Sequence, residues 1–185
     1  DFYNYPRWHP GGSQVAWVSW DHPHLPWEES TLYLADLVRE SGGIALKGQK
    51  ILAGGPGTSV AQPEFSPDGS RLAYLSDHSG WWQLFLLDLS SGETRQLTSQ
   101  AADHGQPAWL QNISTYSFTP DGRAIFILRN QQGFASLWRI DLETGRQSRI
   151  QHPPEYTWLE GLAVSPQGDR LLTVASSGTK PQRLV

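Results

Sequence analysis

A phrase that recurs four times constrains this chain more than any other feature. An apolar strand runs into a Pro-x-Gly turn, and a second apolar strand follows. The turns are His9-Pro10-Gly11-Gly12, Ser66-Pro67-Asp68-Gly69, Thr119-Pro120-Asp121-Gly122 and Ser165-Pro166-Gln167-Gly168. Their first residues are separated by 57, 53 and 46 residues. A repeat of that length built only from strands signals the blades of a β-propeller.

The rest of each unit supports this reading. A third strand ends in Asp-Leu: Leu32–Leu37, Gln83–Leu89 and Ser136–Leu142. A fourth closes the unit at Lys50–Leu52, Thr94–Thr98 and Gln147–Ile150. Alternating apolar and polar residues with Asp/Gly turns between them fit antiparallel hairpins. Pro second and Gly fourth in Ser66–Gly69 suit a type I turn. No window has helical periodicity or caps. The expected fold class is all-β: a partial β-propeller of about three and a half four-stranded antiparallel blades, of the TolB-like repeat type. The expected blades are 5–52, 61–98 and 106–150, with an incomplete one at 156–185, all within one domain, 1–185. Such a set cannot close a ring, and the chain lacks methionine even at position 1. A segment of a longer propeller is the expectation.

Bulk properties exclude several function classes. A net charge of −4, with no basic run, argues against a nucleic-acid or anionic-membrane surface. No apolar stretch approaches the roughly 20 residues of a helical membrane span. Without cysteine there are no disulfides and no thiolate metal sites, and the compartment stays open.

In an antiparallel blade, the connections from strand two to three and from strand four to the next blade share one end. In this chain they are long and aromatic: Trp20–Glu28, Asp77–Trp82, Thr98–His104 and Gln151–Trp158. Rigid scaffolds carry function in such loops. Candidate residues are Trp20, Asp21, His22, Trp27, Asp77, His78, Trp81 and Trp82. Nine tryptophans also suit the need of propellers for large aromatics between tilted sheets. Neighbours on a strand face opposite ways, so one of Trp81 and Trp82 is expected to pack and the other to be displayed.

Catalytic signatures are missing. Gly57-Thr58-Ser59-Val60-Ala61 lacks the second glycine of a nucleophile elbow and precedes a strand. Ser177-Gly178-Thr179-Lys180 matches Ser-x-x-Lys, but a turn stands where that motif needs a helix. His22 and His24, with Asp21 and Glu28, fit a polar loop better than a metal site, because no further ligand is assured. No catalytic residue, metal ligand or cofactor site is therefore assigned. Asn112-Ile113-Ser114 is a glycosylation sequon, a triplet common by chance.

The loop phrases Trp20-Asp21-His22-Pro23-His24-Leu25-Pro26-Trp27 and Ser79-Gly80-Trp81-Trp82 are the most distinctive. With Asp1–Gly12, Gln62–Gly69 and Ser114–Gly122 they resemble the propeller of acylaminoacyl-peptidase-like members of the prolyl oligopeptidase family, over essentially the whole chain. Leu25 stands where that family usually has Met, and Gln83 where it usually has Asn. The resemblance implies the later blades of a non-catalytic propeller that covers a separate α/β-hydrolase domain and admits short peptides. The implied partners are that hydrolase domain and peptide substrates. One alternative is a TolB-like protein-interaction propeller without peptidase activity, which explains the Trp-Asp-His-Pro loop less well. Another is a propeller enzyme with a channel site, for which the inner strands offer Arg7, Glu64 and few others.

Overall fold

Consecutive apolar runs such as Leu72–Leu75 and Leu84–Leu87 belong to strands covered on both faces, whereas alternating runs belong to strands covered on one. The computed structural model, which describes residues 1–185, sorts the strands this way. Blade 1 holds β1 (Phe2–Trp8), β2 (Gln14–Trp20), β3 (Thr31–Glu40) and β4 (Gly43–Gly54). Blade 2 holds β5 (Val60–Phe65), β6 (Arg71–Ser76), β7 (Gln83–Asp88) and β8 (Thr94–Gln96). Blade 3 holds β9 (Tyr116–Phe118), β10 (Ala124–Gln131), β11 (Phe134–Asp141) and β12 (Gln147–Ile150). A last sheet holds β13 (Trp158–Val164), β14 (Leu171–Ser177) and β15 (Lys180–Leu184). Strands pair in chain order within every sheet, and all pairings are antiparallel.

Blade 2 sits between its neighbours, so β6 and β7 bury both faces. In blade 1 only one face is covered: Ala16, Val18, Leu32 and Leu34 point into the core, while Trp17 stacks on Tyr33 across the open face at 5.5 Å. One apolar cluster runs from Tyr5 of blade 1 through Leu72, Leu75 and Leu84 to Ile127 and Ile140 of blade 3. A smaller one, with Phe126, Leu128, Leu159 and Leu162, joins blade 3 to the last sheet.

Two strands are longer than their sequence suggests. β3 and β4 run on to Glu40 and back from Gly43, so blade 1 carries a protruding hairpin where short strands at 32–37 and 50–52 were expected. Register shifts at Leu32/Tyr33 and Leu34/Asp36 break the alternation that would have revealed it. In blade 3, β10 turns directly into β11 through Gln132 and Gly133, both with positive φ, so no long loop forms there.

The Pro-x-Gly turns share one construction. In each, the glycine N–H donates to the carbonyl three residues back, at 2.8 Å. The turn's first side chain also bonds locally. Ser66 Oγ donates to Asp68 Oδ1 (2.6 Å) and accepts from Arg71 N (3.0 Å), and Thr119 repeats both bonds with Asp121 and Ala124. The Ser66 and Ser70 hydrogen bonds hold the Asp68 carboxyl down at about 2.

These turns also join the blades. His9 Nδ1 accepts from Gly11 N at 2.9 Å, which leaves Nε2–H to donate to Gly69 O at 3.1 Å. The close approach requires glycine: a Cβ on Gly69, at φ +75°, would lie 2.2 Å from His9 Nε2. Arg71 repeats the grip one blade later, donating to Gly122 O at 2.7 Å.

The inner strands carry a second recurring device. Tyr5, Gln62 and Gly161 occupy the same repeat position, four residues before the turn's first residue, and have φ of 53°, 53° and 63°. Each sits at a break in register between the first and second strands. The bulge at Gln62 turns its side chain and carbonyl toward blade 3. Gln62 Oε1 accepts from Thr115 N (2.8 Å) and Thr115 Oγ1 (3.1 Å), and Tyr116 OH donates to the Gln62 carbonyl. Two residues before each turn, Arg7, Glu64 and Ser117 follow one another from blade to blade. Glu64 Oε1 accepts from Ser117 Oγ at 3.4 Å. Burial pushes the Glu64 carboxyl up to about 7, against the lowering effects of Phe118 N–H, Arg7 and Ser117.

Two predictions follow from the turns and the inner strands. Gly69→Ala combines left-handed strain with a clash against His9 and should cost about 2–4 kcal/mol in denaturant unfolding. Gly12→Ala, at φ +68° with open space around it, should cost only about 1 kcal/mol. Equal losses would remove the inter-blade role of Gly69. For Glu64, a folded-state pKa above the ordinary 4.5 means its contribution is complete below that value and is lost as pH rises through about 7. Glu64→Gln should therefore raise the melting temperature relative to wild type at pH 8.5, with the gap closing toward pH 5. A gap that does not vary with pH would contradict the burial of this carboxylate.

Candidate functional site

The 2→3 loop of blade 2, Asp77–Trp82, is tied back to its own scaffold. Asp77 Oδ1 accepts from Ser59 N at 2.7 Å, just before β5, and Asp77 N donates to Ser59 O at 3.2 Å. Partial burial raises the Asp77 carboxyl above its ordinary value, opposed by the Ser59 N–H, its own backbone and the neighbouring His78. Trp82 N donates to Asp103 Oδ1 at 3.0 Å. Asp103 exchanges backbone hydrogen bonds with Asn130, at the end of β10, at 3.0 and 2.8 Å. Each carboxylate thus spends one oxygen on a backbone N–H that positions a loop.

Behind them, His104 is buried and fixed in one tautomer. Arg129 Nε donates to its Nε2 at 3.0 Å, so Nδ1–H faces the Trp82 carbonyl at 3.2 Å. Burial and the Arg129 charge lower the His104 pKa to about 4, opposed by the Trp82 carbonyl, and the ring is neutral near pH 7. The Arg129 guanidinium lies 4.0 Å over the Trp138 ring and also donates to Gln147 Oε1. Its donors are therefore shared between His104 and Gln147, and its face lies on Trp138.

These loops frame a cleft of about 540 Å³ that crosses from blade 2 to the last sheet. Asp77, Trp82, Asp103, Trp109, Asn130 and Trp158 are its main walls. Trp109 belongs to the loop before β9 and packs on Trp27 of blade 1 with ring centroids 4.5 Å apart. The residues singled out in the sequence are thereby divided. Asp77 and Trp82 line the cleft and Trp27 braces its rim through Trp109. Trp20 lies apart, stacked on Phe2 at 5.6 Å, and Asp21 faces the chain's amino terminus at 3.9 Å on the open side of blade 1. His22 is exposed in the same loop. His78 is exposed too, packed over Phe85 at 5.1 Å. Trp82 is 8% exposed and Trp81 43%, so the doublet splits into a packing and a displayed ring.

Sequence reasoning did not single out Asp103, Trp109, Asn130 or Trp158. Asp103 and Trp158 fall in loops recognised as long, but nothing there marks them above their neighbours. Trp109 falls inside the expected bounds of blade 3, 106–150, but lies in the loop before β9, which starts at Tyr116. Pro107 and the absence of alternation over Gly105–Trp109 were the available signal.

No group of three or more His, Cys, Asp or Glu side chains is arranged to hold a metal ion. The site offers hydrogen-bond acceptors and aromatic surface, but no nucleophile–base pair. Acceptors and indole faces of this kind suit the binding of a ligand.

The model of the TolB β-propeller domain matches residues 4–184. Dipeptidyl-peptidase 5 of Porphyromonas gingivalis is 27% identical over 151 residues, which cover 77% of this chain and 20% of that protein. A crystal structure of puromycin hydrolase superposes with a TM-score of 0.85 at 30% identity, covering 99% of this chain and 26% of the other. A puromycin-hydrolyzing peptidase of Mycobacterium tuberculosis gives 0.86 at 25% identity, covering 100% and 26%. The chain thus spans between a fifth and about a quarter of the length of these relatives. It belongs to the TolB β-propeller domain family, and the three relatives just described are peptidases of the prolyl oligopeptidase family.

Proposed function

We propose that the chain is the non-catalytic propeller part of a serine peptidase, and that its long-loop face governs which short peptides reach a separate α/β-hydrolase domain. The observation that carries this reading is a set of apolar side chains displayed beside the cleft. Leu25, Trp81, Trp109, Leu110 and Phe134 are exposed in loops or a hairpin at the long-loop end of the blades, while the other exposed large apolar side chains lie on β1, on β3 and β4 and on the last sheet. Trp109 is 62% exposed although it braces Trp27, so the rim of the cleft is apolar on its outer side as well. Apolar rings displayed beside a cleft are what a covering domain or a peptide would bury. The relatives are named as a dipeptidyl-peptidase and as puromycin-hydrolysing peptidases, which supports amide hydrolysis as the activity of the complete polypeptide. A rigid cap contributes to such chemistry by limiting what enters and how it is oriented at the nucleophile.

The test is made on the complete reading frame that encodes this chain. It should contain a Gly-x-Ser-x-Gly between a strand and a helix, followed by Asp and then His. Its product should hydrolyse short peptide amides and leave folded proteins intact, while the 185-residue chain alone hydrolyses neither. A frame without that serine, or inhibitor-sensitive hydrolysis by the chain alone, would overturn the reading.

A further inference from the structure

We propose that the outward face of blade 1 and the outward face of the last sheet form a head-to-tail docking pair, and that the partner each fits is a second copy of this chain. Three of the four turn glycines are met by the preceding blade. Gly69 lies against His9, Gly122 against Arg71 and Pro67, and Gly168 against Pro120. Gly12 has no such neighbour: nothing lies within 4 Å of where its Cβ would stand. The last sheet carries the complementary half. Arg71, two residues after its turn glycine, donates to the Gly122 carbonyl of the next blade at 2.7 Å. Arg170 holds the same place after Gly168. Its side chain is 85% exposed and meets only its neighbour Asp169, in a surface pair at 3.7 Å.

The sheet faces match in the same way. Counted from the turn glycines, Leu172 and Val174 correspond to Ala16 and Val18, which blade 1 turns into the core. In the last sheet Leu172 is exposed and Val174 half-buried. On blade 1, Val15 and Trp17 correspond to Leu72 and Tyr74, which are buried where blade 2 lies between its neighbours. Here Val15, Trp17 and Tyr33 instead line an open groove of about 730 Å³. Apolar faces of this size mark contact surfaces. Each end thus offers the half of a blade-to-blade seat that the other lacks. Seating one copy's last sheet on the next copy's blade 1 continues the stacking already present within the chain.

Charge agrees with this order. Asp1 and Asp21 line the groove at the long-loop end of blade 1, and with the amino terminus between them they leave an acidic excess. Lys180 is exposed at the long-loop end of the last sheet, where β15 begins. At the turn end, Arg170 would bring its guanidinium to the Gly12 carbonyl, as Arg71 does to Gly122. Pairing two blade 1 faces would bring acidic groups together and leave both Arg170 side chains in water, so the fit is heterologous.

This inference goes beyond the proposed function and does not rest on it. It is tested on the 185-residue chain, whereas the peptidase reading is tested on the complete frame, so each can fail alone.

The experiment is sedimentation of the chain at concentrations from about 1 to about 200 μM, over which its average mass should rise above that of one chain. Trp17→Glu spoils the receiving face and Arg170→Glu the donating one, and neither side chain belongs to the buried apolar clusters. Each variant alone should associate about tenfold more weakly than wild type. Mixed in equal amounts they should pair again, because each supplies the face the other has lost, and an unfolded chain cannot restore pairing. Should Trp17→Glu melt early, Asp21→Lys takes its place on the receiving face. A wild type that stays monomeric throughout, variants that associate as it does, or a mixture of folded variants no better than its parts would overturn the proposal.

Discussion

The seat of one blade's inner turn against the next holds the architecture together. At that seat His9 Nε2–H meets the carbonyl of Gly69, and Arg71 meets the carbonyl of Gly122. Sheets in a propeller share no hydrogen-bonded strands, so their angle must come from side-chain packing and a few polar contacts. These contacts fix it at the crowded inner end, where the strands converge. The absence of a Cβ at Gly69 is what allows the approach. Further out, Arg95 donates to Leu142 O at 2.6 Å, and Gln147 donates to Leu97 O at 2.9 Å, so blades 2 and 3 are also tied along their outer edges.

With the blade angles held, the opposite end of the sheets can carry irregular loops without loss of geometry. The loops are held by the same economical device, a side-chain acceptor turned onto a backbone N–H. Asp77 holds Ser59 and Asp103 holds Trp82. Positioning leaves one oxygen of each carboxylate free, so the groups that build the cleft walls also give the cleft its charge. The neutral ring of His104 lets this happen beside a guanidinium, since it accepts from Arg129 without adding positive charge to the loop face.

Much of the fold was legible because it rests on local rules. Pro-x-Gly turns at near-regular spacing, Asp-Leu strand ends and doubly apolar runs in the middle blade each have a direct physical cause in the sequence. What was not legible depends on partners distant in the chain. The inner-strand bulge is advertised only at Gly161. Tyr5 and Gln62 adopt the same positive φ without a residue type that favours it: Tyr5 is buried in the core, and Gln62 is held by Thr115 and Tyr116 of blade 3. The hairpin at Arg39–Gly43 lies outside the packed sheet, so no buried face writes an alternation into it. The cleft was half legible. Asp77 and Trp82 sit in a conspicuous loop, whereas Asn130 reads as an ordinary strand end until its pairing with Asp103 brings it there.

The most direct test of the long-loop face as the working face is amide hydrogen exchange, comparing this chain alone with the complete polypeptide that contains it. Amides of 77–82 and 105–111 should be more protected in the complete polypeptide. Those of the turns at 66–69 and 119–122 should be unchanged. Protection gained at the turns, with the long loops exchanging as freely as before, would place the working face at the other end of the blades and contradict the account.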